Sequence, residues 1–282
     1  MKRKSKKKKL RLRFKYFMFL KMIFISYFLS ILFMSLTEIN FWKNDNDKII
    51  KIEQEIQELV EIEEIPVTEE ETDTLINVPE DKEDIYWQYK DVSLINVDIT
   101  ELKAENDDAI GWIQVLGTNI NYPIVQSNDN DYYLTRDFTK RKNKGGWIFL
   151  DYRNSIDNLS NNNIIYGHRR YNKSMFGTLK NVLTNSWQQN TDNHIIKVST
   201  EKYNYLFQVF SVYETVNETY YLQTEFLDDN AYLEFLNTIT SRSAYNFNTE
   251  VNKDTKILTL STCHNKDDRL VVHSKLIKVN PK

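Results

Sequence analysis

Between Phe14 and Leu36 the chain runs 23 residues with only Lys15 and Lys21 charged, and its last fifteen, "MIFISYFLSILFMSL", carry no charge at all. About 20 consecutive apolar residues suffice for a helix to cross a bilayer, and lysines near one end of such a run can snorkel to the interface. The surrounding charge sharpens this reading. From Met1 to Thr37 there are 11 Lys+Arg and no Asp or Glu, so the rest of the chain carries 26 basic residues against all 40 acidic ones. The formal net charge of −3 therefore hides two oppositely charged pieces. A cleaved leader is the competing reading, but the segment that follows, "TEINFW", lacks a small-residue cleavage site. A basic arm for nucleic acid is a second alternative, which the adjacent apolar span makes the poorer explanation. We read an uncleaved anchor with the basic end inside and the body of the chain outside the cell.

This gives four expected regions: a cytoplasmic basic tail over 1–13, a transmembrane anchor over 14–36, an acidic extracellular stalk over 37–90 and a globular body over 91–282. Between Lys43 and Lys90 stand 16 acidic and five basic residues. Within the stalk, Ile49, Ile52, Ile56, Leu59 and Val60 recur at helical spacing, predicting a short amphipathic helix ended by Pro66. The acidic run beyond reads as a solvated spacer. The acidic balance of the body argues against nucleic acid as a partner.

After Asp91 the texture changes to short apolar or alternating runs separated by turn residues. Strands are predicted near 112–116, 119–125, 146–151, 163–167, 194–199, 203–213, 255–263 and 269–278. Eight strands suit a mainly β fold closed into a barrel. Two helices interrupt them. Ser174 can cap one with Met175, Leu179, Val182 and Leu183 on a face, and Asp229 another with Tyr232, Phe235, Leu236 and Ile239 inward.

The chemistry centres on Cys263, the one cysteine. Alone outside the cell it cannot form an internal disulfide. In "KILTLSTC", period two puts Ile257, Thr259, Ser261 and Cys263 on one face and sets Cys263 at a strand end. A turn "HNKDD" and a strand "RLVVHSKLIKV" follow, so an antiparallel hairpin brings Arg269 close to Cys263. A fixed cation favours the thiolate and can stabilise an oxyanion. The alternative is a small buried hydrophobe beside a surface arginine.

Acyl transfer through cysteine also needs a proton donor for the leaving amine. His194 reads as a surface residue, and His264 adjoins Cys263 but points away from it. His273 shares a strand face with Arg269 yet sits about 13 Å along the strand. His168 ends the run "NNNIIYGH" where a strand meets a loop, and Arg169 and Arg170 after it either lower its pKa or are simply solvated. The residues alone leave His168 open between a catalytic group and a solvated one.

Four blocks in order, "NYPIVQSNDNDYYLTRDF", "GGWIFLDYRN", "NNIIYGH" with "SMFGTL", and "TLSTC" with "RLVVH", resemble the sortase family, and class B sortases most closely, over most of Asp91 to Val279. The resemblance implies an eight-stranded barrel and a membrane-anchored cysteine transpeptidase. It implies Cys263 as nucleophile, His168 as acid/base and Arg269 as the cation, with Asn130, Leu134, Tyr166 and Ser261 lining the substrate groove. Its implied partners are sorting-signal peptides of surface proteins and a peptidoglycan precursor or cell-wall peptide amine, with no cofactor and no metal. A pilin-polymerising sortase, an L,D-transpeptidase and an inactive binding module are the alternatives.

Overall fold

The computed structural model describes residues 2–66, 86–89, 91–216, 218–263 and 268–282. The chain divides into two compact units, Met1–Lys48 and Ile49–Lys282. The first is helical, part of α1 (Lys2–Leu59), and its side chains from Phe14 to Leu36 are all exposed. By length and composition this stretch is apolar enough to cross a membrane.

In the second unit, the last turns of α1 bury Ile49, Ile52 and Ile56 among barrel residues. The helix predicted from their spacing is therefore present. It ends at Leu59 rather than at Pro66, because residues 62–65 turn into a strand, β1 (Ile62–Ile65). β1 pairs antiparallel with β2 (Leu94–Val97), Ile62 opposite Val97 and Ile65 opposite Leu94. This small sheet has no counterpart in the sequence reading, since "IEEI" lacks the alternation that marks a half-buried strand. Residues 67–85, the rest of the expected spacer, lie outside the described residues. A short helix α2 (Tyr86–Tyr89) and then α3 (Thr100–Glu105) flank β2.

The eight remaining strands close a barrel, as expected: β3 (Ala109–Val115), β4 (Asn121–Val125), β5 (Phe149–Leu150), β6 (Asn162–His168), β7 (Ile195–Thr200), β8 (Tyr203–Val216), β9 (Ile257–Cys263) and β10 (Asp268–Pro281), in the order β10-β8-β7-β3-β4-β5-β6-β9. Closure leaves no unpaired edge. Two neighbour pairs, β4 with β5 and β6 with β9, are parallel. The hydrophobic core built on these strands includes Trp112, Ile113, Ile124, Phe149, Ile164, Leu258, Leu260 and Val272, all buried. A fully buried side chain of this size contributes roughly 1.5–3 kcal/mol, so the barrel supplies its own core.

Three local expectations need correction. The strand predicted over 146–151 shrinks to two residues, because Gly146 takes φ 59° and a turn occupies its place. The helix α4 (Asn185–Gln189) was not predicted, and the segment before it, Phe176–Leu183, is a 3-10 helix. Ser174 does not cap that segment, since its hydroxyl donates to Asn172 Oδ1 at 2.8 Å. In α5 (Asp229–Ser241) the cap is Asp228, whose carboxylate accepts from Ala231 N at 2.8 Å, while Tyr232, Phe235, Leu236 and Ile239 are buried as predicted.

Candidate functional site

The last residues of β6 and β9 lie side by side. In the parallel register Tyr166 is opposite Ser261, Gly167 opposite Thr262 and His168 opposite Cys263. Neighbouring strands are about 4.8 Å apart, so His168 and Cys263 are adjacent although 95 positions separate them in sequence. β10 flanks β9 on the other side, with Val271 opposite Ser261. Beyond that pair, Leu270 N donates to Thr262 Oγ1 at 2.9 Å, so the start of β10, with Arg269, runs beside the end of β9. The hairpin anticipated from sequence is thus formed, while its turn, residues 264–267 with His264, lies outside the described residues.

His168 is fixed by what surrounds it. Its Nε2 lies 2.8 Å from the Leu134 carbonyl oxygen, and a carbonyl only accepts, so the hydrogen sits on that nitrogen. Leu134 ends the 3-10 turn Tyr132–Leu134, and Trp147 N donates to Tyr133 O at 2.9 Å. Gly146 makes this approach possible. A Cβ there would stand 2.7 Å from His168 Cδ2, 2.6 Å from Tyr133 O and 2.9 Å from Leu134 O, distances that no ordinary packing allows.

Arg169 and Arg170 are not simply solvated. Arg169 pairs with Glu214 at 3.2 Å. Arg170 packs its guanidinium over Gly145 and lies near Glu53 of α1, which is also hydrogen-bonded to Tyr122. Burial pushes the Glu53 carboxyl up to about 7, against the opposing pull of Arg170 and Tyr122.

The other two described histidines belong to the interior. His273 is fully buried between Thr259 Oγ1 at 2.8 Å and Tyr213 Oη at 2.9 Å, and burial pushes its pKa down to about 3. His194, expected at the surface, is 2% exposed. Its Nε2 lies 3.0 Å from Gln188 O and its ring is packed by Trp187 and Phe247, because the 3-10 turn Thr191–Asn193 before it folds it inward; burial lowers its pKa.

Two further side chains tie the expected groove residues together. Tyr221, fully buried in the 3-10 turn Tyr220–Leu222, shares a hydrogen bond of 3.0 Å with Ser261 Oγ and accepts one of 3.3 Å from Arg269 Nη1. Asp151, directly after β5, accepts from Asn130 Nδ2 at 3.0 Å and from Tyr166 Oη at 2.9 Å, both on Oδ2. Of the residues predicted from sequence, Asn130 and Tyr166 thereby meet at Asp151, Ser261 and Arg269 at Tyr221, and His168 meets the Leu134 carbonyl, while Cys263 stands opposite His168 in the strand register. Tyr221 and Asp151 had not been singled out, although Asp151 stands inside the quoted block "GGWIFLDYRN".

A closed eight-stranded barrel is also what comparison with known proteins returns. Residues 113–277 match the sortase domain. Sortase B of Listeria monocytogenes is 36% identical over 203 residues, 67% of this chain and 80% of that protein, and sortase B of Staphylococcus aureus is 37% identical over 183 residues, 64% and 74% respectively. Among solved structures, the Staphylococcus aureus sortase B–substrate complex aligns at TM-score 0.60 and 34% identity, covering 70% of this chain and 88% of that one. Sortase B from Bacillus anthracis in complex with AAEK1 aligns at 0.59 and 41% identity, over 64% and 84%. The chain belongs to the sortase family of transpeptidases, and within it to class B.

Proposed function

We propose that this enzyme cleaves a Pro-x-Thr type sorting signal through a thioester on Cys263 and joins the surface protein to an amine of a cell-wall peptide. The observation that carries this reading is the register that sets His168 opposite Cys263, with the strand that bears Arg269 antiparallel on the other side of β9. Arg269 favours the thiolate. Cys263 attacks the threonine carbonyl, forming a C–S bond and an oxyanion that the Arg269 guanidinium stabilises. As the C–N bond breaks, its electron pair takes a proton from His168, leaving a thioester. The acceptor amine then attacks the thioester carbonyl and returns a proton to His168, and the C–S bond breaks to regenerate the thiolate. Since Nε2 is engaged with Leu134, this exchange falls to Nδ1. Every atom and charge is accounted for without a cofactor. Asn130, Leu134, Tyr166 and Ser261 line the donor groove.

The same reading gives residues 14–36 the role of anchor, with 1–13 cytoplasmic, 37–90 outside the membrane as the stalk and 91–282 as the catalytic body at the cell surface. The neighbour solved with its substrate supports a peptide partner.

The test is a panel of fluorogenic Pro-x-Thr peptides offered to the wild type and to Cys263→Ala, His168→Ala and His264→Ala, with a wall-type peptide amine as acceptor. Cleavage and amine-dependent ligation disappear in the first two variants and persist in the third. Retention of cleavage in Cys263→Ala would sink the mechanism.

A further inference from the structure

Asp151 has no exposed surface, yet it forms an ion pair with Arg153. Burial alone raises its pKa, but the Arg153 guanidinium, a backbone N–H and the Tyr166 hydroxyl outweigh it and hold the carboxyl below the ordinary range. The pairing with Arg153 is a fork: Nε reaches Oδ1 at 2.8 Å and Nη2 reaches Oδ2 at 2.7 Å. A buried ion pair contributes little net stability by itself, so its placement calls for another account.

What the carboxylate does is impose direction on its neighbours. A carboxylate only accepts, so Tyr166 must donate its one hydroxyl hydrogen to Oδ2, which leaves its oxygen an acceptor towards anything else. Asn130 is pinned at both ends, Nδ2 donating to Oδ2 at 3.0 Å and Oδ1 accepting from Tyr152 N at 3.1 Å, so its amide cannot flip. Arg153 meanwhile extends the contact, donating from Nη2 to Leu222 O at 3.0 Å, next to the Tyr221 that meets Ser261 and Arg269.

We propose that Asp151, held by Arg153, is the positioning residue of the donor groove, fixing Asn130 and Tyr166 as one donor and one acceptor of set direction for the backbone of an extended peptide. This rests on the reading above that Asn130 and Tyr166 line that groove. Asn130 and Arg153 share no hydrogen bond with each other, and each bonds Asp151, so Asp151 is their common link.

The experiment uses the full chain in detergent micelles with the peptide that the wild type cleaves best, and measures KM and kcat separately for Asn130→Ala, Arg153→Gln, Arg153→Lys and the double variant Asn130→Ala with Arg153→Gln. The Arg153 side chain is 38% exposed, so its variants keep the fold, and thermal unfolding verifies this. Arg153→Gln is expected to raise KM by roughly 5- to 30-fold with kcat within about threefold, as loss of uniform substrate binding does. Arg153→Lys restores part of it. The pH dependence of Cys263 alkylation stays that of the wild type. Together with Asn130→Ala the loss is at least about threefold smaller than the product of the single losses, because both act through one carboxylate. If Asn130→Ala raises KM while Arg153→Gln does not, or the two losses multiply, the positioning role is overturned and the groove stands. If Asn130→Ala leaves KM unchanged, the groove assignment fails and takes the positioning role with it.

Discussion

Glu53 of α1 is the residue whose charge should most visibly oppose folding near neutral pH. Its Oε1 is buried with no hydrogen-bond partner among the described residues, and its carboxyl is raised from 4.5 to about 7, chiefly by burial. Because the folded state then holds a proton that the unfolded chain has released, stability falls as pH rises from about 4.5 to about 7 and stays reduced above that. At about 1.4 kcal/mol per pH unit, and allowing for the side chain's partial exposure, the loss amounts to roughly 2–3 kcal/mol. Glu53→Gln keeps the shape and removes the titration. The wild type alone does not reveal the effect. His273, held neutral with its pKa down at about 3, favours folding as pH rises towards 6.5 and so opposes Glu53 over the same range. The informative quantity is the difference between variant and wild type, in which His273 cancels. Urea unfolding of Ile49–Lys282, followed by tryptophan fluorescence at steps from pH 4.5 to 8.5, should give a difference that grows in favour of Glu53→Gln by about 2 kcal/mol or more across the series. Two parallel curves, offset by a constant, would refute the reasoning.

Three further outcomes follow from the site. Gly146→Ala places a methyl against His168 and the Tyr133 and Leu134 carbonyls and forces a left-handed backbone on alanine; kcat should fall by roughly 100-fold or more, as misplacement of a catalytic group does, and steady-state cleavage of the donor peptide measures it. Tyr221→Phe removes the hydroxyl shared by Ser261 and Arg269, and kcat/KM should fall by about tenfold, the scale of one buried hydrogen bond, in the same assay; an unchanged value would detach Tyr221 from the site. His273→Ala should cost about 2–4 kcal/mol in urea unfolding by opening a cavity and stripping Thr259 and Tyr213 of a partner, while the folded fraction keeps its kcat; complete loss of turnover in a folded variant would make His273 a participant.

The eight barrel strands were legible because each is a short apolar run between turn residues, and even the long β8 and β10 differ from expectation only by extension at their ends. The antiparallel pairing of β9 with β10 was legible too, being local to a hairpin. The register that sets His168 opposite Cys263 was not derivable that way, since nothing in "NNIIYGH" or "TLSTC" states that the two runs lie parallel, and only the family resemblance joined them. Asp151 escaped for a different reason. A lone acidic residue in a loop reads as solvated, and only the fold reveals that Arg153, Tyr166 and Asn130 converge on it. His194 misled by its place at a strand's start, where exposure is the ordinary outcome; Trp187, seven residues before it, is folded back onto it and Phe247 reaches it from a distant part of the chain.

The parallel neighbours β6 and β9 also say when this enzyme becomes one. Their pairing spans nearly a hundred positions, and contacts of such high sequence separation carry a large loop-closure cost and form late in folding. Arg269 can meet Cys263 in an early hairpin, but His168 arrives only when the sheet closes on itself. On the function proposed above, a nascent or half-folded chain carries a thiol with no acid beside it, and reactivity towards peptides is expected to report ring closure.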